Sequence, residues 1–447
     1  MEQAKPLNPI ADAKLSVGKI TDAICVFLLV LMFVSKISLK WTRIVPFRLS
    51  FVVYQHGLSP YINFALNFGI FAILFFIWVR TKKLVKLSPL YLFYMYTLMV
   101  VLTLQTLFQI ALVNVSYSPW MQLGGLLNAL VLLTMYGIMI PTMMPLERFI
   151  FIVRRTSVIL VLLSLLLLPI FFPHFFRGGR FIGVFKHIPH MVSAATFAFI
   201  FFIPSVFRIG PYHERKNKFL FPFILFLITI AVLLTATKAA VITILLVFFV
   251  ATLIYGSKKK TVRLFKFCFI SIFTTAVLLF GVPTGEFIYD VATGHKSFGM
   301  RPAQDGIESR MEEVTRGIKM FKKSEYFGQG ILYKFMGGEG VEMEGYNSFK
   351  DPHNLFISAG VIGGWPLLLL SIIGYFMMIM GTIKALVQKD PNRQMLGLFL
   401  LSHLPVFVIY HVHLSLGGLG DRMYYLIFGY LAIIWSKNSR FQEDSHL

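Results

Sequence analysis

Apolar segments of about 20 residues alternate with short polar segments along most of this chain, and about 12 can be counted by that length. They cover residues 18–35, 61–79, 88–110, 120–140, 152–172, 188–207, 219–235, 239–255, 264–281, 361–383, 395–412 and 421–436. A helix of this length spans a bilayer, whereas lipid leaves the backbone groups of an open sheet unpaired. The pattern therefore predicts an all-α polytopic membrane protein with about 12 transmembrane helices.

The seventh and eighth segments are parts of one apolar stretch, which runs from Phe219 to Tyr255. This stretch is too long for one ordinary span, and the polar residues Thr235–Lys238 are a natural place for the chain to reverse. A single long, tilted and kinked helix is the alternative.

One long polar segment interrupts the pattern, from about Val282 to Ile362. We predict that it forms a large extracytoplasmic loop containing short helices. The expected divisions are residues 1–281 with the first nine helices, residues 282–360 as the loop subdomain, and residues 361–447 with the last three helices and a cytoplasmic tail. All three belong to one membrane domain.

Clusters of Lys and Arg in alternate loops indicate the topology, because basic loops stay in the cytoplasm. The clusters begin at Arg80, Arg148, Arg208, Lys258 and Lys384. All fall on one side, so both termini are expected in the cytoplasm and the long loop outside. The first external loop, with Lys36, Lys40, Arg43 and Arg48, departs from this rule.

The composition agrees with a membrane protein: 57% of the residues are hydrophobic and 14% are charged. A net charge of +22 suggests nucleic acid in a soluble protein, but here most basic residues lie in short loops that set topology. No nucleic-acid partner is therefore expected. The two cysteines lie in apolar segments, and no His, Cys or carboxylate set has the spacing of a zinc site, so neither a metal nor a cofactor is expected.

Several basic residues are predicted on the outer side, where the topology rule disfavours them. They are Arg177, Arg180, Lys186, Lys238 and Arg310, with His190 and Ser309 beside them. Contacts with the headgroups of membrane lipids would explain any single one. Several converging cations instead favour an anionic partner such as a lipid-linked pyrophosphate, because guanidinium groups bind phosphate oxygens bidentately.

His353 ends the long loop, just before the chain re-enters the membrane. Histidine titrates near pH 6.5, which suits accepting a proton from a sugar hydroxyl at neutral pH. Asp351 begins a turn before it, and Asn354 after it could hydrogen-bond the ring or a ligand. A capping or interface histidine is the alternative.

Four features together resemble the O-antigen ligase and O-antigen polymerase superfamily of bacterial inner-membrane glycosyltransferases. The segment from Arg180 to His190 is similar to the family's Arg-x-x-Gly-x-Phe-x-x-Pro-Asn stretch, and Thr235–Lys238 is similar to its Thr-x-Ser-Arg turn. Ser309-Arg310 followed by residues 320–330 resembles the family's Arg, amphipathic helix and Pro-x-x-Gly-x-Gly, and His353-Asn354 before a glycine-rich helix is the fourth feature. Lys238 replaces the family's usual Arg, His190 its usual Asn, and residues 324–326 lack its usual Pro.

The resemblance implies a metal-independent, inverting transfer of a glycan from undecaprenyl pyrophosphate at the outer face of the inner membrane. His353 would be the base, and Arg180, Lys238 and Arg310 would hold the pyrophosphate. The acceptor would be lipid A–core for a ligase, which we favour, or another lipid-linked glycan for an O-antigen or exopolysaccharide polymerase. A transporter or flippase for a lipid-linked glycan is the alternative from another class. It predicts ionisable residues deep within the spans.

Overall fold

A computed structural model describes residues 9–41, 47–50, 59–80, 87–112, 119–171, 174–177, 180–207, 220–235, 237–255, 314–330, 354–388, 390–410 and 419–435. Helices make up most of these residues. In chain order they are α1 (Pro9–Val34), α2 (Ser59–Arg80), α3 (Pro89–Leu112), α4 (Pro119–Leu133), a π-helical segment (Thr134–Met139), α5 (Ile140–Met143), α6 (Leu146–Leu166), α7 (Leu168–Phe171), α8 (Ile188–Phe207), α9 (Leu220–Leu234), α10 (Lys238–Tyr255), α11 (314–323), α12 (Leu355–Val387), α13 (Pro391–Tyr410) and α14 (Leu419–Trp435).

Within the described residues, five helical stretches are long and apolar enough to cross a membrane, which agrees with a helical membrane protein. They are Pro89–Leu112, Gln122–Met143, Leu146–Leu166, Ile188–Val206 and Leu355–Val387. Four shorter apolar helices are Ile20–Val34, Asn67–Arg80, Leu220–Leu234 and Thr243–Ile254. The predicted span at residues 264–281 lies outside the described residues, so the count of about 12 stays a prediction.

The long apolar stretch is interrupted where its polar residues predicted. Helix α9 ends at Leu234 and α10 begins at Lys238, and both helices pack against α8. The Thr235 hydroxyl donates to the Val232 carbonyl at 2.6 Å, so a side chain satisfies part of the end of α9. Two helices, rather than one kinked helix, therefore occupy this stretch.

Contacts between helix termini bring several helices together at one end of the bundle. At one end, Arg148 near the start of α6 pairs with Asp22 of α1 at 3.1 Å. At the same end, the Ser88 amide before α3 donates to the Ala432 carbonyl late in α14 at 3.2 Å. The predicted cytoplasmic loops meet here, so the helix directions agree with the predicted alternation. Which end faces the cytoplasm stays a prediction.

Two short antiparallel hairpins depart from the predicted all-helical fold. Strand β1 (Ser38–Trp41) pairs with β2 (Phe47–Ser50), and β3 (Phe176–Arg177) pairs with β4 (Arg180–Phe181). Both lie in loops between helices, where backbone groups need partners. The fold is therefore an α-helical bundle with two small two-stranded sheets.

Candidate functional site

Five half-buried basic side chains converge at the start of α8. Lys36, His187, Arg422 and Lys186 lie close enough to His190 to interact with it electrostatically, and the rings of His187 and His190 lie 5.9 Å apart. We call these five residues the basic cluster. They come from three parts of the chain: the end of α1, the start of α8 and the start of α14. Its lysine and arginine members, Lys36, Lys186 and Arg422, carry positive charge, and such a group favours an anionic ligand.

Backbone pairing between two loops brings the first two parts of the basic cluster together. The Lys186 amide donates to the Lys36 carbonyl at 3.0 Å, and an antiparallel bridge joins Ile37 to Phe185. Phe181 and Phe185 are fully buried and anchor the loop in the bundle. The loop between β4 and α8 is therefore held by its apolar residues, with Lys186 beside Lys36.

The presence of glycine at position 183 of the Arg180–His190 motif has a steric explanation. Its φ is +55°, and an added Cβ would lie 2.4 Å from the Ser164 hydroxyl oxygen of α6. That hydroxyl also accepts the Val184 amide at 3.1 Å. Only glycine allows both the left-handed backbone and this close approach to α6. The motif thus fixes the turn that leads into Lys186.

Arg177 and Arg180 lie opposite one another in the β3–β4 hairpin. The Arg180 side chain is exposed and free to reach outward, while only the backbone of Arg177 is described. The hairpin precedes the loop that carries Lys186. Arg180 is therefore near the basic cluster along the chain.

Arg422 is a member of the basic cluster that the sequence reasoning missed. It lies in the first turn of α14, and its guanidinium is 5.7 Å from the ring centre of Tyr136 in the π-helical segment. A lone arginine within an apolar helix is a signal that could have identified it. Lys36 was noted only as an exception to the topology rule. Both residues join the basic cluster only through the tertiary structure.

The end of the described loop docks against a break in α12. The backbone of α12 is non-helical at Gly363 and Gly364. Three backbone hydrogen bonds join this break to the preceding loop: Gln329 to Val361 at 2.6 Å, Gly330 to Ile362 at 3.0 Å, and Trp365 to Glu325 at 2.7 Å. We call the contact between residues 324–330 and 361–365 the loop–helix junction. It satisfies backbone groups that the break frees.

Close backbone approach at the junction requires two glycines in the left-handed region. A Cβ on Gly328 would lie 2.3 Å from the Ile362 carbonyl oxygen, and one on Gly364 would lie 2.4 Å from the Glu325 carbonyl oxygen. Their φ values are +72° and +65°. Any larger residue would separate the loop from α12.

Two hydrogen bonds with Ser324 close the loop turn before the junction. The Gly328 amide donates to the Ser324 carbonyl at 2.8 Å, and the Ser324 hydroxyl donates back to the Gly328 carbonyl. Ser324 thus closes the turn from both ends, through its backbone and its side chain.

Two glutamines of α3 bind the junction from the bundle, and the sequence reasoning did not identify them. Gln105 donates through Nε2 to the Tyr326 carbonyl at 3.1 Å. Gln109 donates through Nε2 to the Phe327 carbonyl and to the Ile362 carbonyl, the latter at 2.9 Å. Both glutamines are buried. The polar side chains of α3 therefore attach the loop to the membrane helices.

Asn354 begins α12 as its N-cap. Its Oδ1 accepts the amides of Phe356 at 3.0 Å and Ile357 at 3.1 Å, so this predicted supporting residue has a structural role. After the break, Trp365–Val387 is roughly 34 Å long at 1.5 Å per residue, enough to cross the hydrocarbon core. The part before the break carries Asn354 at its N-terminal tip.

The remaining predicted site residues have side chains that the structure does not describe. His353, Asp351, Arg310 and Ser309 lie outside the described residues. Lys238 begins α10, but only its backbone is described. Of the predicted site residues, the structure brings together Lys186 and His190. The assignment of the others stays a prediction.

A small pocket lies beneath the first turns of α12, between α3 and α14. Hydroxyl groups and aromatic rings contribute to its lining, from Tyr94, Ser358, Ser371, Tyr424 and Tyr425. Within the described ranges, no group of three or more His, Cys, Asp or Glu residues is placed to hold a metal ion. The chemistry available around α12 and α14 is thus cationic and hydroxyl-based.

Comparison with known protein families matches residues 223–372 to a family described as O-antigen ligase. The match runs from α9 to the middle of α12 and includes the loop–helix junction. A comparison with curated proteins gives no match. The match over residues 223–372 supports the resemblance to the O-antigen ligase superfamily that the motifs indicated.

Proposed function

We propose that this protein is a membrane glycosyltransferase that transfers a glycan from undecaprenyl pyrophosphate to lipid A–core on the outer face of the inner membrane. The observation that carries the proposal is the basic cluster, in a chain with an O-antigen ligase domain. The cluster has the charge that a pyrophosphate requires. It lies at the end of the bundle where the predicted topology places the outer surface.

The basic cluster is the proposed site for the donor pyrophosphate. Its residues surround the start of α8, and Arg180 on the neighbouring hairpin is exposed and positioned to extend it. Arg177, Lys238 and Arg310 complete the set proposed from the motifs. Negative charge grows on the pyrophosphate as the glycosyl bond breaks, so fixed cations stabilise the transition state more than the ground state.

His353 is the proposed general base, one residue before the N-cap of α12. It takes the proton from the acceptor hydroxyl while that oxygen attacks the anomeric carbon of the donor sugar. The bond from that carbon to the phosphate oxygen breaks, and undecaprenyl pyrophosphate leaves. Attack from the face opposite the leaving group inverts the anomeric configuration. The proposed reaction needs no metal, because cationic side chains stabilise the leaving group.

Replacing Arg422 with Gln should raise the KM for the lipid-linked donor about tenfold, because a charge-assisted hydrogen bond contributes about 1.5–3 kcal/mol. Initial rates in nanodiscs at varied donor concentration measure this. Arg80→Gln is the matched control: Arg80 lies in the last turn of α2, with its guanidinium 4.0 Å from the Phe76 ring centre. Equal donor KM values for the two variants would remove Arg422 from the pyrophosphate site.

The choice of acceptor is tested by the product. Purified protein is supplied with an undecaprenyl-linked glycan, with and without lipid A–core. The proposal predicts a glycan joined to lipid A–core only when that acceptor is present. Longer lipid-linked glycan in its absence would instead identify a polymerase of the same superfamily.

A further inference from the structure

The geometry points to Gln109 as a positioning residue for glycan transfer, and this inference rests on the proposed function. Gln109 lies near the outer end of α3, and its side chain is buried. One amide group there donates to two backbone carbonyls that belong to different elements, Phe327 in the loop and Ile362 in α12. We propose that this double hydrogen bond fixes the described end of the loop relative to α12, and that glycan transfer depends on this alignment.

The orientation of the Gln109 amide follows from its partners. Two carbonyl oxygens require a donor, so Nε2 must face them. The Oε1 atom is then turned away and has no hydrogen-bond partner; those of Gln105 and Gln122 lack one as well. A buried acceptor without a partner is destabilising. These unpaired oxygens therefore lie at the loop–helix junction, where Gln105 and Gln109 hold the loop through their Nε2 donors.

The surroundings of Gln109 leave little freedom for the junction to shift. A Cβ on Gly330 would lie 3.1 Å from the Gln109 Oε1 atom, and the φ of Gly330 is +99°. The rings of Phe108 and Phe327 pack 5.6 Å apart, and those of Phe321 and Trp365 5.1 Å apart. The double hydrogen bond thus lies inside a packed contact that transmits the position of one element to the other.

Chain connectivity relates the Gln109 contact to the residues proposed to react. Arg310 shortly precedes α11, and α11 leads directly into the segment that Gln109 holds. His353 directly precedes Asn354, the cap of the short helical part that ends at Ile362. Gln109 therefore joins the two described segments that follow Arg310 and His353 in the sequence. Displacing reacting groups by about 1 Å can lower a rate about 100-fold.

The test compares Gln109→Met with Gln122→Met. Gln122 is also buried, and its Oε1 atom lies near the same Gly330 position, but in the described part of the chain no hydrogen bond joins it to residues 324–330. Gln109→Met should lower kcat about 10- to 100-fold with little change in the donor KM, because the cluster that binds the donor is intact. Gln109→Glu keeps the shape of the side chain but places oxygens against both carbonyls, so its kcat should be lower still. Gln122→Met should keep both constants.

Hydrogen–deuterium exchange of the full protein in nanodiscs tests the double hydrogen bond of Gln109 separately from activity. Amides of residues 324–330 should exchange about tenfold faster in Gln109→Met than in the wild type or Gln122→Met. Unchanged exchange in Gln109→Met would overturn the inference, and so would faster exchange with an unchanged kcat. If the wild type transfers no glycan, the proposed function fails, and the exchange result still decides whether Gln109 holds the junction.

Discussion

The variant His353→Ala should lose glycan transfer, by about 100-fold or more, while the protein accumulates and folds as the wild type does. A positioned general base contributes about 10²–10⁴-fold to such a reaction, and alanine cannot accept the proton. The rate of product formation from an undecaprenyl-linked donor measures the effect. The donor KM should change little, because the basic cluster that binds the pyrophosphate is unchanged.

Thermal unfolding in detergent is the control for His353→Ala. Asn354, and not His353, caps α12 through its side chain, so the unfolding midpoint should match that of the wild type. A normal midpoint with retained turnover would remove His353 from the role of base. A lowered midpoint would assign it a structural role instead.

The second large effect is expected from Gly364→Ala at the break in α12. The new methyl group would lie 2.4 Å from the Glu325 carbonyl oxygen, on a backbone with φ of +65°. Strain and overlap together should cost about 2–4 kcal/mol or force the loop away from α12. The unfolding midpoint should fall, and transfer should fall with it because the junction no longer holds the loop.

Gly124→Ala is the matched control for this substitution. Gly124 lies within α4, and a Cβ there would meet no atom within 4 Å. Alanine favours a helix interior over glycine by about 0.5–1 kcal/mol. The midpoint of Gly124→Ala should therefore equal or slightly exceed that of the wild type. Equal midpoints for the two variants would show that the close approach at Gly364 does not constrain the fold.

The helices could be predicted because the membrane imposes their length and polarity. The break between α9 and α10 is the clearest example, since the three polar residues Thr235, Thr237 and Lys238 in a long apolar stretch located it. The hairpins were missed for the opposite reason. Strand β2 has only four residues and β3 only two, too few for an alternating pattern to be recognised.

The site was predicted only in part, because tertiary contacts decide which distant residues come together. Lys186 and His190 were identified since they lie where cations are disfavoured. Arg422 joins them only through the packing of α14, far away in sequence. Gln109 gave no signal either, because an uncharged side chain in an apolar helix shows its importance only when its backbone partners are known.

The family pattern was useful even where this chain departs from it. Residues 324–326 lack the usual proline, and in this chain hydrogen bonds between Ser324 and Gly328 close the turn there. The consequence of Lys238 in place of Arg is a separate question of phosphate binding, since an ammonium group cannot form the bidentate contact of a guanidinium.

The most direct test of glycan transfer at this site is the release of undecaprenyl pyrophosphate by the wild type in nanodiscs, with EDTA present. We predict one undecaprenyl pyrophosphate released for each glycan transferred to lipid A–core, and neither product with His353→Ala. Donor binding without release of undecaprenyl pyrophosphate would contradict the account and favour a transporter for the lipid-linked glycan.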